Sequence, residues 1–169
     1  KLEVITFYEG LGSVADKAER MASLAGDIAN YLDAADPDTA RRAALLAKVD
    51  LASEMVGEFP ELQGIMGGYY ATAAGEAADV AEAMTQHYRP QGPSDEIPAS
   101  LYGRIVALAD KIDTLTGFFG IGSKPTGSRD PFALRRAALG VLRIIDEGNL
   151  DLSIDCLLYT SDAADEWIG

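Results

Sequence analysis

Cysteine is almost missing from this sequence: Cys156 stands alone. That excludes an intrachain disulfide and argues against a metal centre built on thiolates. Histidine is as scarce, with His87 in EAMTQHYRP the single example. It has no partner visible in the sequence for general-base or metal chemistry, and is expected at the surface or at a helix end. Basic residues are outnumbered, 14 Lys and Arg against 27 Asp and Glu, and the formal net charge of −13 sets up an average field that repels polyanions. That field opposes broad non-specific binding to phosphate backbones, so any nucleic-acid contact has to come from a local patch. No stretch approaches the roughly 20 apolar residues needed to span a bilayer, and no membrane span or membrane partner is expected. The opening Lys1-Leu2 lacks the basic, apolar and small-residue succession of a signal peptide, and we expect a cut inside a longer, cytoplasmic chain.

What is present suits one globular domain: 169 residues, 48% apolar and 24% charged, enough to bury a sizeable core. The apolar period is helical nearly throughout, without internal repeats, heptads or a convincing strand before residue 150. Ser13 and Asp16 have capping-box spacing ahead of a stripe of Val14, Met21, Leu24, Ala25, Ile28 and Leu32. Asp36-Pro37 is a cap followed by proline at the first helical position, and predicts a second helix carrying Ala40, Ala44, Ala47, Leu51 and Met55 and stopping before Pro60. Four glycines in PELQGIMGGYYATAAGE predict short turns. Further helices are expected over Glu76–Tyr88 and from Leu101 to Phe119, joined by an exposed proline-rich connection over 89–99. Asp130-Pro131 repeats the cap-then-proline signal and opens a helix with Leu134, Ala138, Val141 and Ile145 on one face and Gly148 as its C-cap. The fold class is all-α, a helical bundle.

The tail CLLYTSDAADEWIG departs from the LDLSID pattern before it and resembles a translated transposon-end sequencing adapter. We therefore divide the chain into a helical domain over 1–155 and a non-native, adapter-derived tail over 156–169.

Few residues carry a chemical signal. Asp110 and Asp113 in LADKIDTL, three apart, face one side of a helix, where they could hold a hard cation or pair with Lys111; Asp50 is a further internal acid. GFFGIG lacks the preceding strand and the Walker-type lysine and hydroxyl of a phosphate loop, so its glycines are expected to end a helix and turn the chain. From Lys124 to Arg143, by contrast, five basic residues (Lys124, Arg129, Arg135, Arg136, Arg143) accompany one acid, Asp130. Such a patch suits phosphates, aided by the N–H donors of a helix start at Pro131, or else it pairs with surplus carboxylates.

Three blocks, KVDLASEMVGEFPELQGIMGGYYA, GEAADVAEAMTQHYRP and ALADKIDTLTGFFGIGSKPTGSRDPFALRRAALGVLRII, resemble in collinear order the middle of the bacterial two-subunit glycyl-tRNA synthetase β-subunit family. The resemblance implies a fragment of a longer β subunit, acting in the ATP-dependent glycylation of tRNA. Its implied partners are an α subunit in an α2β2 assembly, the remaining β-subunit domains and tRNA-Gly. It implies ATP use through the α subunit, with no cofactor and no catalytic residue in this fragment. The basic residues named above then become candidates for tRNA contact. This part of the family is similar to HD-type phosphohydrolases; Val49-Asp50 stands where their His-Asp pair would be, Asp110 matches their final aspartate, and both motif histidines are missing. That implies a degenerate HD scaffold with metal remnants Asp50 and Asp110 and no metal. An active metal-dependent phosphohydrolase and a purely structural interdomain module are the alternatives.

Overall fold

The computed structural model describes residues 1–165. Against expectation the chain opens with a small antiparallel hairpin, β1 (Thr6–Tyr8) and β2 (Gly12–Ser13). Its segments are too short for an apolar alternation to be read from sequence. Everything after it among the described residues is helical or loop. Helix α1 (Val14–Leu32) starts with the expected reciprocal cap: Ser13 Oγ accepts from Asp16 N at 3.1 Å while Asp16 Oδ2 accepts from Ser13 N at 2.7 Å. Helix α2 (Pro37–Leu46) starts on Asp36, whose carboxylate accepts from Thr39 N at 2.7 Å.

The second predicted helix is broken. It ends at Leu46, and a 3-10 turn over Val49–Ala52 and the short α3 (Glu54–Glu58), capped by Ser53, replace its last turns. The break turns both Lys48 and Asp50 into the interior, where each finds polar partners. After Gly64, held at φ +80°, the glycine-rich stretch forms α4 (Ile65–Ala73), followed by α5 (Ala78–Gln86), shorter than predicted at both ends. Glycine is required at Gly68, because a Cβ there would collide with Thr85 Oγ1; the two helices thus approach closely.

Helix α6 (Leu101–Gly120) runs through the centre, with Ile105, Val106, Leu108 and Ile112 buried against α1, α2, α5 and α7 (Leu134–Glu147). Residues that are apolar around so much of a helix mark it as enclosed rather than amphipathic. The connection over 89–99 is less exposed than predicted, with Pro90 and Pro98 buried. Helix α8 (Ile154–Asp165) continues into the tail segment, and its Leu157 is buried in the main core beside α1 and α6. A second small core joins the hairpin to the far end of α6: Leu11, Phe118 and Leu134, with Phe7, Tyr8 and Phe132 packed on them. Phe118 is the buried member of its pair, whereas Phe119 is exposed.

Candidate functional site

The basic segment begins where α6 ends. Gly122, at φ +76°, turns the chain, and a tight turn follows in which Thr126 and Arg129 exchange backbone hydrogen bonds of 3.0 and 2.7 Å. The loop is anchored by Phe132, stacked on Phe118 with ring centroids 4.2 Å apart and edge-on to Tyr8 at 5.1 Å. That anchor explains why the helix does not begin at Pro131. Phe132 is drawn into the aromatic cluster, Ala133 adopts the left-handed conformation at φ 53°, and α7 starts at Leu134. The Asp130 carboxylate then accepts from Leu134 N at 2.8 Å and Arg135 N at 2.9 Å. These bonds hold its pKa below the ordinary range, and they occupy N–H donors that the sequence reading offered to a phosphate.

The side chains sort into two groups. Lys124, Arg129, Arg135 and Arg136 are exposed and make no ion pair among the described residues. Arg143 is committed elsewhere: its guanidinium grips Glu147 at 2.6 and 3.1 Å and donates to the carbonyls of Gly92 and Pro93. Leu139 and Leu142, on the same helix, are 60% and 48% exposed, so the basic face of α7 also carries uncovered apolar surface.

The internal acids form a different kind of centre. Asp110 Oδ1 lies 3.0 Å from Lys17 Nζ, and Oδ2 lies 2.8 Å from Lys48 Nζ. Lys17 continues to Asp113 Oδ2 at 2.9 Å and Thr114 Oγ1 at 2.9 Å, and Arg20 Nε closes on Asp113 Oδ1 at 2.6 Å. Of the two alternatives open to Asp110 and Asp113, a cation or an ion pair with Lys111, the structure has ion pairs, but with Lys17, Lys48 and Arg20. Lys111 points to the carbonyls of Tyr88 and Arg89, at 3.4 and 3.0 Å. Asp50 stays apart from the pair: Oδ2 accepts from Gly64 N at 2.7 Å and Gly67 N at 3.2 Å, capping α4, while Oδ1 is buried without a hydrogen bond.

His87 is at a helix end, as the C-cap of α5, but it is wholly buried rather than at the surface. Lys48, itself on Asp110, lies 3.0 Å from His87 Nε2, and Met84 O lies 2.7 Å from Nδ1. An ammonium can only donate and a carbonyl can only accept, so the ring is neutral with its proton on Nδ1. Burial first, and Lys48 second, push its pKa down to about 3. Burial pushes the Asp110 carboxyl up, yet Lys48 and Lys17 outweigh it and leave it well below the carboxylate range. Burial likewise lowers Lys111 to about 8.

This donor set does not suit a divalent cation. Both Asp110 oxygens are bonded to ammonium groups, Asp50 is spent on backbone donors, and no group of three metal-ligating side chains assembles among the described residues. The lysines were missed from sequence because each is a single charged residue in an otherwise helical pattern. Lys17 did leave a trace, lying three residues from Val14 and four from Met21 on the buried stripe of α1. Lys48 left none.

A family model described as glycyl-tRNA synthetase beta subunit matches residues 1–166. A glycine–tRNA ligase beta subunit from Azotobacter vinelandii (strain DJ / ATCC BAA-1303) is 57% identical over 155 residues, covering 92% of this chain and 22% of that protein. The beta subunit from Dinoroseobacter shibae (strain DSM 16493 / NCIMB 14021 / DFL 12) is 59% identical over 153 residues, 90% of this chain and 21% of that one. The chain thus spans about a fifth of the length of these relatives. With the whole helical domain inside the match, the chain belongs to the glycyl-tRNA synthetase beta subunit family.

Proposed function

We propose that this domain is a non-catalytic part of a glycine–tRNA ligase β subunit and that its basic loop helps to position tRNA for ATP-dependent glycylation. Glycine activation and ATP binding belong, in this reading, to an α subunit of an α2β2 cytoplasmic assembly. The observation that carries it is the set of four exposed cations, Lys124, Arg129, Arg135 and Arg136, held on an aromatic-anchored loop and helix start, forming no ion pair among the described residues and with Asp130 as the one acid beside them. Phosphates are the complementary ligand for such a set in a protein whose average charge is otherwise repulsive to RNA. The rest of the fold is a degenerate HD-type scaffold, with lysines neutralising the aspartate that would otherwise face a metal. A phosphohydrolase activity finds no support in that donor set.

The test is tRNA-Gly binding by the full α2β2 enzyme, wild type against an Arg135→Glu, Arg136→Glu double variant, across a salt series. Loss of two phosphate contacts should weaken binding and make the logarithmic salt slope shallower by about 2. Unchanged affinity and slope in a folded variant would reject the role. The exposed Leu139 and Leu142 favour a second reading, in which α7 packs on another protein domain. In that case the same variant would disturb assembly while leaving the salt slope unchanged.

A further inference from the structure

Away from the basic loop, α4 and α5 enclose an open groove of about 550 Å³. Gly68 and Ala81 line it as small residues where the two helices come closest, and Ile65 and Tyr69 rise beside them. These two large side chains are 44% and 68% exposed, on consecutive turns of one helix. Nothing among the described residues covers them. Tyr69 in particular leaves most of an amphipathic ring in water, an arrangement common at binding surfaces and wasteful elsewhere.

Charge identifies the occupant. The segment from Val49 to Tyr88 contains seven acids and no lysine or arginine. Glu76 and Glu82 line the groove, and Asp79 is exposed nearby on α5. Arg42, reaching over from α2, already satisfies Glu76, whereas Glu82 has only a hydrogen bond from Gln86 at 2.8 Å. An RNA backbone is repelled from such a surface. A helix carrying apolar side chains at successive turns, flanked by Lys or Arg, is complementary to it in both respects. The nine residues of α4 span about 13 Å, the length of two to three helical turns of a partner. Relatives of this chain are four to five times longer, so most of their polypeptide lies outside the described domain and is available to supply such a helix.

We infer that the α4–α5 groove is a docking site for a basic amphipathic helix belonging to another protein segment of the assembled ligase. The domain then has two faces of opposite kind: a cationic loop for RNA and an acidic, aromatic groove for protein. The groove assignment does not depend on the tRNA role of the basic loop.

The experiment places a photoreactive p-benzoyl-phenylalanine at position 69 of the full-length β subunit, assembles the ligase with and without tRNA-Gly, irradiates, and maps the crosslinks by mass spectrometry. The expected product joins position 69 to a Lys- or Arg-bearing helix of a ligase polypeptide, with or without tRNA. Adding Glu82→Lys or Ile65→Ser, both at exposed positions, should lower its yield by about tenfold, and raised salt should weaken it. A crosslink to tRNA, to an acidic segment, or to nothing above the level seen at position 4, an exposed site that does not line the groove, overturns the inference. Thermal denaturation of each variant separates a lost contact from a lost fold. Failure of the basic-loop experiment would leave this result unaffected.

Discussion

Protonating His87 requires placing a second positive charge against Lys48 in the interior, and this makes the domain acid-labile in a way that can be isolated. Its pKa is depressed to about 3 from an ordinary 6.5, so the unfolded chain takes up the proton first as pH falls. Stability contributed by the neutral ring is complete above about pH 6.5 and is lost progressively between there and about pH 3. At about pH 5 the unfolded imidazole is protonated and the native one is not, a gap of about 1.5 pH units that corresponds to about 2 kcal/mol. Two of the charged groups facing the ring keep their charge over this range: Lys111, lowered to about 8, remains ammonium, and Asp110 remains ionised because its pKa is held well below the carboxylate range. Tyr88, stacked 4.0 Å from the ring, has its pKa pushed up by burial and stays neutral. The variant His87→Gln retains an acceptor for Lys48 and a donor for Met84 O but cannot titrate. Urea unfolding at about pH 7 and about pH 5 should therefore show the wild type losing about 2 kcal/mol more than the variant, since the surface carboxylates titrate alike in both. Parallel losses in the two proteins, or an NMR titration of His87 centred near its ordinary value, would refute the reasoning.

Other perturbations test the remaining structural claims. Asp110→Asn leaves the buried Lys48 ammonium without its counter-charge and Lys17 with Asp113 as its remaining carboxylate, and should lower unfolding stability by about 3 kcal/mol; a loss below about 1 kcal/mol would show that the network contributes little. Phe118→Ala removes the ring on which Phe132 stacks, and should cost about 3 kcal/mol and increase hydrogen exchange over residues 121–133; protection left at the wild-type level would deny the aromatic anchor. For the tail we propose an adapter origin, in which case the genomic coding sequence of the source diverges from CLLYTSDAADEWIG at Cys156; recovery of the same codons from genomic DNA would dismiss it.

Much of the framework was legible because helix boundaries are set by short-range chemistry. The reciprocal Ser13 and Asp16 cap, the Asp36-Pro37 start and the end of α6 at Gly120 all involve groups within a few residues of one another, so their spacing carries the information. The failures lie where a distant partner overrides a local preference. Asp130-Pro131 reads as a helix start, but Phe132 gains more by stacking on Phe118, fourteen residues earlier, and moves the start to Leu134. The second helix breaks after Leu46 because Lys48 and Asp50 have destinations elsewhere in the fold.

The sequence by itself determined that the domain is helical, that it holds a single cysteine and a single histidine, and that four of its 14 basic residues cluster between Lys124 and Arg136 in an acidic chain. It also carried the long collinear blocks that tie the chain to its family. Only the tertiary structure decided which charges face water. Lys48 meets His87 and Asp110 across separations of 39 and 62 residues, and Lys17 meets Asp113 across 96. No periodicity encodes such pairings, because the energy of a buried charge depends on which opposite charge the packed helices bring within hydrogen-bond distance.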